Sequence, residues 1–394
     1  MSDFRWGRAF KHALITALIA AVLFILILFT IGAIFVSVNY SHMGRLVTVI
    51  NLIRGEYLEP VSLERLVDGA IEGMANLDEY SGFQNEQNNQ NLQTMIEGQF
   101  GGIGIYVGDD TDRLMVSRPI KGSPAESAGL ETGDQIVVIE GDPVANMTQA
   151  EAIARLKGEV GTEVRIEVYR ESTQEYFERV LTRAIISVPS VEWAPYPGEP
   201  DMAVIEISTF SRQTGPDFDR VLSEIDPQQY RGLVIDLRNN LGGEFGAAIY
   251  IASRLSPHGP VVHTVGRSGK LTSFPAAAEF INRPFVLLVN EYSASASEIV
   301  TGAVKDYESA PVVGVTTFGK GLVQRLFTLD TNTGLKLTTE KYLTPLQNDI
   351  HKKGVIPDYE VKLEQGEKTT LLPAENPDRQ MEKAREVLRE RLGA

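Results

Sequence analysis

Three serines and one lysine are the residues of this chain best suited to covalent chemistry. Ser293, Ser295 and Ser297 alternate with alanines in the string Ser293-Ala294-Ser295-Ala296-Ser297-Glu298, which steps into an apolar-periodic run. Lys320 follows 25 residues after Ser295, set between Gly319 and Gly321, and Gln324 lies four residues further on. A hydrolase nucleophile needs an acceptor for its proton. The chain contains no cysteine, which leaves serine or threonine as nucleophile and removes disulfides and thiolate-bound zinc. The five histidines are His12, His42, His258, His263 and His351, and no Gly-x-Ser-x-Gly elbow accompanies them, so a Ser-His-Asp site has no support.

Lysine can act as the base only when neutral, which means lowering its pKa from about 10.4 towards 7, a shift of roughly 4–5 kcal/mol. Desolvation does this and a nearby carboxylate opposes it. Lys320 has Phe318, Leu322 and Val323 around it, and no acid stands between Glu308 and Asp330. A solvated loop charge is the other reading of the same lysine. A third is a phosphate loop: Gly314 to Lys320 follows Gly-x-x-x-x-Gly-Lys, but position eight is Gly321 rather than a hydroxyl residue. The next residues, Leu322 to Leu329, alternate as a strand where a phosphate loop must open a helix.

These residues need a scaffold. From Arg183 onward, short apolar runs alternate with helical periods: strands at 203–207, 232–237, 285–290 and 310–315, and helices at 213–225, 245–255 and 295–305. That pattern predicts a parallel sheet covered on both faces, with function at the carboxyl ends of its strands. Two small-residue turns sit at such ends, Asn239–Gly243 and Asn290–Ser297. At the N-terminus of a helix a nucleophile has a positive partial charge near a developing oxyanion.

Upstream, Phe100 to Val107 carries Gly102 and Gly104, with Gly108 following, but Ile103, Ile105 and Val107 alternate as a strand, which excludes a dinucleotide fingerprint. Ser123 to Gly141 predicts a short helix, a Gly-Asp turn and a strand; an amphipathic helix over 148–157 and a strand over 161–169 follow. This set resembles a PDZ domain, whose glycine loop turns N–H groups towards a peptide's terminal carboxylate while an edge strand pairs with the peptide. The peptide-contacting residues would be Gly101, Gly102, Ile103, Gly104 and Ile105. Asn85 to Gln93, rich in Asn and Gln, is expected to be an exposed linker.

At the N-terminus, Ala13 to Val38 is 26 residues without a charge, preceded by Arg5, Arg8 and Lys11. This exceeds the roughly 20 residues a helix needs to cross a bilayer. By the positive-inside rule residues 1–12 stay in the cytoplasm and the remainder is exported. The run is too long for the apolar segment of a cleaved signal peptide. A net charge of -15 and the absence of a basic stripe argue against nucleic acid as a partner. The tail carries Met381, Ala384, Leu388 and Leu392 on one helical face, expected to be a surface or assembly helix.

Taken together, the strings Ser293–Ile299, Phe318–Gln324, Asp236–Gly243 and Leu343–Asp358 resemble those of the carboxyl-terminal processing peptidases, Ser-Lys proteases of family S41 with an inserted PDZ domain. The resemblance covers roughly residues 46–361. It implies an α/β multidomain protein: a transmembrane anchor at 13–38, a helical region at 43–91, a PDZ domain at 92–182, a crotonase-like serine protease core at 183–363 and a helical tail at 364–394. It implies Ser295 as nucleophile, Lys320 as base and Gln324 as the residue that orients the lysine. An oxyanion hole would come from Ala296 with Gly242 or Gly243. Lys157 stands where relatives have an arginine that senses the ligand-bound PDZ domain, and it lacks the bidentate geometry of arginine. Implied partners are proteins with unstructured apolar C-termini, an adaptor lipoprotein or scaffold, and further copies of the chain at the inner membrane, with the catalytic part in the periplasm or otherwise extracytoplasmic. No metal or cofactor is implied. The rival from a different class is an inactive membrane-tethered PDZ scaffold.

Overall fold

The structure, a computed structural model, describes residues 19, 21–24, 26, 42–108, 113–369, 372 and 376–393. The predicted membrane span at 13–38 lies largely outside these residues. Among the described residues, no helix is long and apolar enough to cross a membrane. The chain divides into two compact units, residues 1–83 and 84–394.

In the first unit a helix over residues 42–56 is followed, after the break at Glu59-Pro60, by the helix Leu63–Ala75. Ser62 starts this second helix, its hydroxyl accepting from the Arg65 N–H, as the sequence predicts. Both helices keep apolar side chains in the open: Val47, Leu52, Val67 and Met74 are all exposed.

The second unit holds both the region at 92–182 and the α/β core at 183–363. It opens with the helix Glu86–Glu97, where the sequence suggests a linker. Asn85 caps that helix by accepting from the Asn88 N–H, and Gly98 closes it in the left-handed region. The polar run thus reads as a solvated helical face rather than as a loop. The strand Gln99–Gly102 then pairs antiparallel with Ala184–Ser187, the segment that leads into the α/β core. Between them lie the strands Ile105–Val107, Leu114–Pro119, Asp134–Ile139, Glu163–Arg170 and Glu175–Thr182 and the helix Gln149–Leu156. They enclose an apolar core of Ile103, Leu114, Ile136, Leu156, Ile166 and Val168, among others. Thr148 and Glu151 form a full capping box at the start of the helix.

The α/β core is built on a sheet in the order Val191–Pro195, Met202–Ile207, Gly232–Asp236, Phe285–Val289, Val312–Gly314 and Tyr359–Glu360. All neighbours are parallel except the first pair. The alternation of strand side chains divides the core cleanly. Ala203, Ile205, Leu233, Ile235, Phe285 and Leu287 face the helices Thr214–Glu224, Phe245–Leu255 and Ala296–Asp306. Val204, Val234, Val286 and Leu288 face the C-terminal helix Arg379–Leu392 through Met381, Ala384, Val387 and Leu388. That helix is not the surface or assembly helix suggested by the sequence. Its apolar face covers the sheet, because a parallel sheet with both faces apolar needs a second layer.

Arg238 ties this layer to the turn at Asn239–Gly243. Its side chain is wholly buried, with a guanidinium nitrogen 2.7 Å from Asp236 and another 2.8 Å from Asp378. Asp378 also caps the C-terminal helix, accepting from the N–H groups of Gln380 and Met381. Burial alone would disfavour the Arg238 cation, but Asp236 and then Asp378 outweigh it and raise its pKa further. Asp378→Ala leaves Arg238 paired with Asp236 but removes the acceptor of its second nitrogen and the cap of the C-terminal helix, and is expected to lower stability by about 2–3 kcal/mol in denaturant unfolding.

Candidate active site

The structure separates three serines that the sequence leaves equivalent. Ser293 is fully buried; its hydroxyl donates to the Leu237 carbonyl at 2.8 Å and accepts from the Asn290 N–H at 2.9 Å. Ser297 is fully buried and donates to the Asn240 carbonyl at 2.9 Å. Both hydroxyls serve to join the two turns at the strand ends. Ser295 remains partly exposed and adopts φ 54° and ψ -109°, a conformation that side chains other than glycine rarely take. Backbone strain of this kind, about 1–3 kcal/mol, persists where the surroundings impose it. Here it places Ser295 at the N-cap of the helix Ala296–Asp306.

Gly242 lies directly against this residue. A Cβ added to it would stand 2.7 Å from the Ala294 carbonyl oxygen, 2.8 Å from the Ser295 Cβ and 2.9 Å from the Ala296 nitrogen. Gly243 is pressed against Phe210, whose carbonyl oxygen would be 2.0 Å from an added Cβ. Of the expected oxyanion donors, the Gly242 N–H is directed to Asn240 Oδ1 at 2.8 Å. The bridge between Phe210 and Gly243 uses the Gly242 carbonyl and the Glu244 N–H, which leaves the Gly243 N–H outside that ladder. The Ala296 N–H belongs to the first turn of its helix, where no intrahelical acceptor exists.

Lys320 belongs to a loop clasped by two neighbours. The Phe318 N–H donates to the Ser293 carbonyl at 3.1 Å, and the Lys352 N–H to the Gly319 carbonyl at 2.7 Å. Gly321 packs on the backbone of His351, where an added Cβ would meet the His351 nitrogen at 2.9 Å. The strand Leu322–Thr328 follows, as expected, and no helix opens after Lys320, which removes the phosphate-loop geometry. A bulge between Val323 and Gln324 re-aims Gln324. Its Nε2 is buried without a hydrogen-bond partner among the described residues.

One residue was not legible from the sequence. Glu298, with no exposed surface, accepts from Thr317 Oγ1 at 2.6 Å and the Gly319 N–H at 2.6 Å through Oε1. Through Oε2 it accepts from the Lys320 N–H at 2.8 Å and the Ser295 N–H at 3.0 Å. The absence of acids in the sequence around Lys320 therefore does not carry into space. Tyr342, also buried, donates to the Ser295 carbonyl at 3.1 Å. Burial first, and then the Glu298 carboxylate, hold its phenol well above the ordinary value, so it stays a neutral donor. The signal for Glu298 lay in the capping-box spacing, a serine followed three residues later by a glutamate.

Of the expected peptide-contacting residues, Gly101 and Gly102 lie in the strand paired with Ala184–Ser187, Ile103 is in the apolar core of its region, Gly104 has φ 81° and Ile105 opens the next strand. Gly101 permits close approach: an added Cβ would meet the Gly158 carbonyl at 2.1 Å. Lys157 caps the C-terminus of the helix Gln149–Leu156 and sets its Nζ 4.8 Å from the centre of the Phe100 ring. Arg183 fixes the same helix end from the exit strand, donating to the carbonyls of Arg155 and Leu156. A cavity of about 860 Å³, lined by Asn239, Asn290, Tyr292, Val315, Thr316 and Gln380 among others, opens at the carboxyl ends of the core strands.

Residues 201–361 match the model of peptidase family S41 and residues 91–169 that of the PDZ domain. The carboxyl-terminal-processing protease of Synechocystis sp. is 38% identical over 331 residues, covering 82% of this chain and 78% of that protein. The chain belongs to peptidase family S41. The carboxy-terminal processing protease CtpB of Bacillus subtilis is 34% identical, with 81% of this chain and 68% of that protein covered. Among solved structures, the photosystem II D1 C-terminal processing protease is 29% identical, covers 78% of this chain and 84% of its own, and superposes with a TM-score of 0.46. The family is one of carboxyl-terminal processing proteases, so this S41 chain is a serine peptidase with a PDZ domain rather than an inactive scaffold.

Proposed function

We propose that this S41 peptidase is a membrane-anchored endopeptidase that captures apolar C-termini through its PDZ domain and cleaves by a Ser-Lys mechanism. The observation that carries the reading is the division among the serines: Ser293 and Ser297 are spent on backbone carbonyls, while Ser295 is partly exposed, strained and held at a helix start. Ser295 attacks the peptide carbonyl as Lys320 takes its proton, and Lys320 returns that proton to the leaving amine. Gln324 orients the lysine. The Ala296 and Gly243 N–H groups receive the oxyanion, and Gly242 contributes the close approach that brings that segment to Ser295. Water then resolves the acyl-enzyme.

The strand and turn from Gly101 to Ile105 take the peptide's end, and Lys157 reports its arrival. Residues 13–38 anchor the chain in the inner membrane with residues 1–12 in the cytoplasm and the catalytic part outside it. The exposed apolar faces of the helices at 42–56 and Leu63–Ala75 suit a second copy or an adaptor lipoprotein.

Turnover of an unfolded protein with an apolar C-terminus, quenched and analysed by mass, is expected to show an acyl adduct on Ser295. The same protein ending in two aspartates is expected to be cleaved about tenfold more slowly, since an apolar PDZ pocket leaves a carboxylate side chain unpaired. Equal rates for the two ends would remove the PDZ domain from recognition, and an adduct on another residue would remove Ser295 from the chemistry.

A further inference from the structure

Beside the turn that carries Gly242 and Gly243, the structure holds a cavity that the Ser295 chemistry does not use. Its volume is about 330 Å³, and Arg212, Pro216, Asp219, Glu244, Ala247 and Tyr250 line it. It opens where the helices Thr214–Glu224 and Phe245–Leu255 start. Phe210 and the turn run side by side at its edge, joined by the Glu244 N–H, which donates to the Phe210 carbonyl at 2.8 Å. Ser295 lies against Gly242 in the same turn. Consecutive Cα atoms are about 3.8 Å apart, so Glu244 stands within about 8 Å of Gly242, and the cavity is on the order of 10 Å from the nucleophile. An extended peptide advances about 3.3 Å per residue, so a substrate held at Ser295 brings over the opening a side chain about two to four residues from the scissile bond.

Most charges around this cavity are already matched. Arg212 is paired with Glu97. Asp219 accepts from the Tyr250 hydroxyl and stands 3.3 Å from the Arg254 guanidinium. Glu244 differs. It caps the helix Phe245–Leu255, its Oε2 accepting from the Ala247 N–H at 2.6 Å. Among the described residues its Oε1 accepts no hydrogen bond and no cation pairs with it. A negative charge is favourable at that end of the helix. The Tyr250 ring packs on the bare backbone of Gly215, where an added Cβ would meet ring carbons at 3.0 and 3.3 Å. With Pro216 and Ala247 the ring supplies the apolar part of the wall.

We propose that this cavity is a substrate subsite for a basic side chain, lysine or arginine, close to the scissile bond, with Glu244 as the residue that selects it. This rests on the reading of Ser295 as nucleophile. A long basic side chain matches both parts of the wall. Its methylene stem lies along Pro216, Ala247 and the Tyr250 ring while its charged head meets Oε1 of Glu244. The ring face adds attraction for a cation. An acidic side chain would meet the Glu244 and Asp219 carboxylates, and an apolar one would desolvate Glu244 without giving it a partner. The cations and helix starts that could instead favour an anion are engaged: Arg212 by Glu97, Arg254 by Asp219, and the first turn of Phe245–Leu255 by Glu244 itself. The subsite is separate from residues 101–105, so it chooses where the chain is cut rather than which terminus is captured.

Peptides that share one apolar C-terminus and carry lysine, methionine or glutamate at each of the four positions on either side of the cleaved bond test this through kcat/KM. At one position lysine is expected to exceed methionine, a neutral side chain of similar length, by about tenfold, and glutamate by about 100-fold. In Glu244→Gln the lysine-to-methionine ratio at that position should fall to about one. A role confined to capping the helix would slow every peptide alike and leave the ratio at its wild-type value. Glu244→Ser keeps a good helix cap without a carboxylate, and it decides the matter if Glu244→Gln fails to fold. A series with no lysine preference at any position, a preference for glutamate, or a lysine preference that survives in either folded variant overturns the proposal. Failure of the underlying reading shows separately: Ser295→Ala is expected to cleave none of these peptides, and its retained activity would remove the nucleophile whatever the lysine preference of the wild-type enzyme.

Discussion

Ser295→Ala is expected to lower kcat for cleavage of an unfolded protein by about 10,000-fold or more, and Lys320→Ala by a comparable factor. The size follows from the roles. Without the hydroxyl there is no covalent intermediate; without the lysine the hydroxyl has no acceptor for its proton, and alkoxide is not available near neutral pH. Groups that act as one unit do not lose rate additively, so the double variant should be no slower than either single one. Neither change removes the PDZ domain, so affinity for a peptide with an apolar C-terminus should remain at the wild-type level. Ser293→Ala and Ser297→Ala provide the contrast. Their hydroxyls bond the Leu237 and Asn240 carbonyls, so each should cost about 1 kcal/mol of stability, read by denaturant unfolding, while Ser295 remains able to react. Retained proteolysis in Ser295→Ala, or a fully active Lys320→Ala enzyme, would contradict the Ser-Lys chemistry.

Much of the protease core was legible because its strands are apolar on both faces and separated by helical periods. The helices over 214–224, 245–255 and 296–306 fall within a residue or so of their predicted ends. Two helices were misread, each for its own reason. A helix shows its apolar stripe only relative to a partner, and the partner is remote in sequence. The face of Arg379–Leu392 is complementary to strands as far back in the chain as Met202–Ile207, so in isolation it resembled an assembly surface. The helix Glu86–Glu97 turns mostly polar residues to solvent, so its composition resembled a linker. The same limit applies to the site. Local reading found the serine cluster Ser293–Ser297, Lys320 and the glycine turn, because small residues at strand ends leave a mark. It could not find that Glu298 joins them, since a contact between residues 298 and 320 has no sequence signature of its own. Nor could it separate Ser293, Ser295 and Ser297, whose difference lies in which backbone carbonyl each hydroxyl reaches.

Gly242→Ala carries the other large expected effect, and it tests geometry rather than a reacting group. The methyl would stand 2.8 Å from the Ser295 Cβ, 2.7 Å from the Ala294 carbonyl oxygen and 2.9 Å from the Ala296 nitrogen. Non-bonded carbons settle at about 3.5–4.0 Å, so atoms must move by several tenths of an ångström at least. Two of the three obstructing atoms are main-chain, and the third is the root of the expected nucleophile, so no flexible side chain can absorb the shift. Gly242 is also at φ 100°, a region that alanine occupies only with strain. The displacement falls on Ser295 and on the Ala296 N–H together, the nucleophile and an oxyanion donor, and is expected to lower kcat about 100-fold or more. Gly198 separates the two contributions: its φ is 75°, but an added Cβ would meet nothing within 4 Å. Gly198→Ala should lose about 1 kcal/mol of stability from backbone strain and keep wild-type kcat. If Gly242→Ala lost stability alone and retained kcat, the Ser295 turn would have room to relax, and the close approach of Gly242 would not be what aligns it.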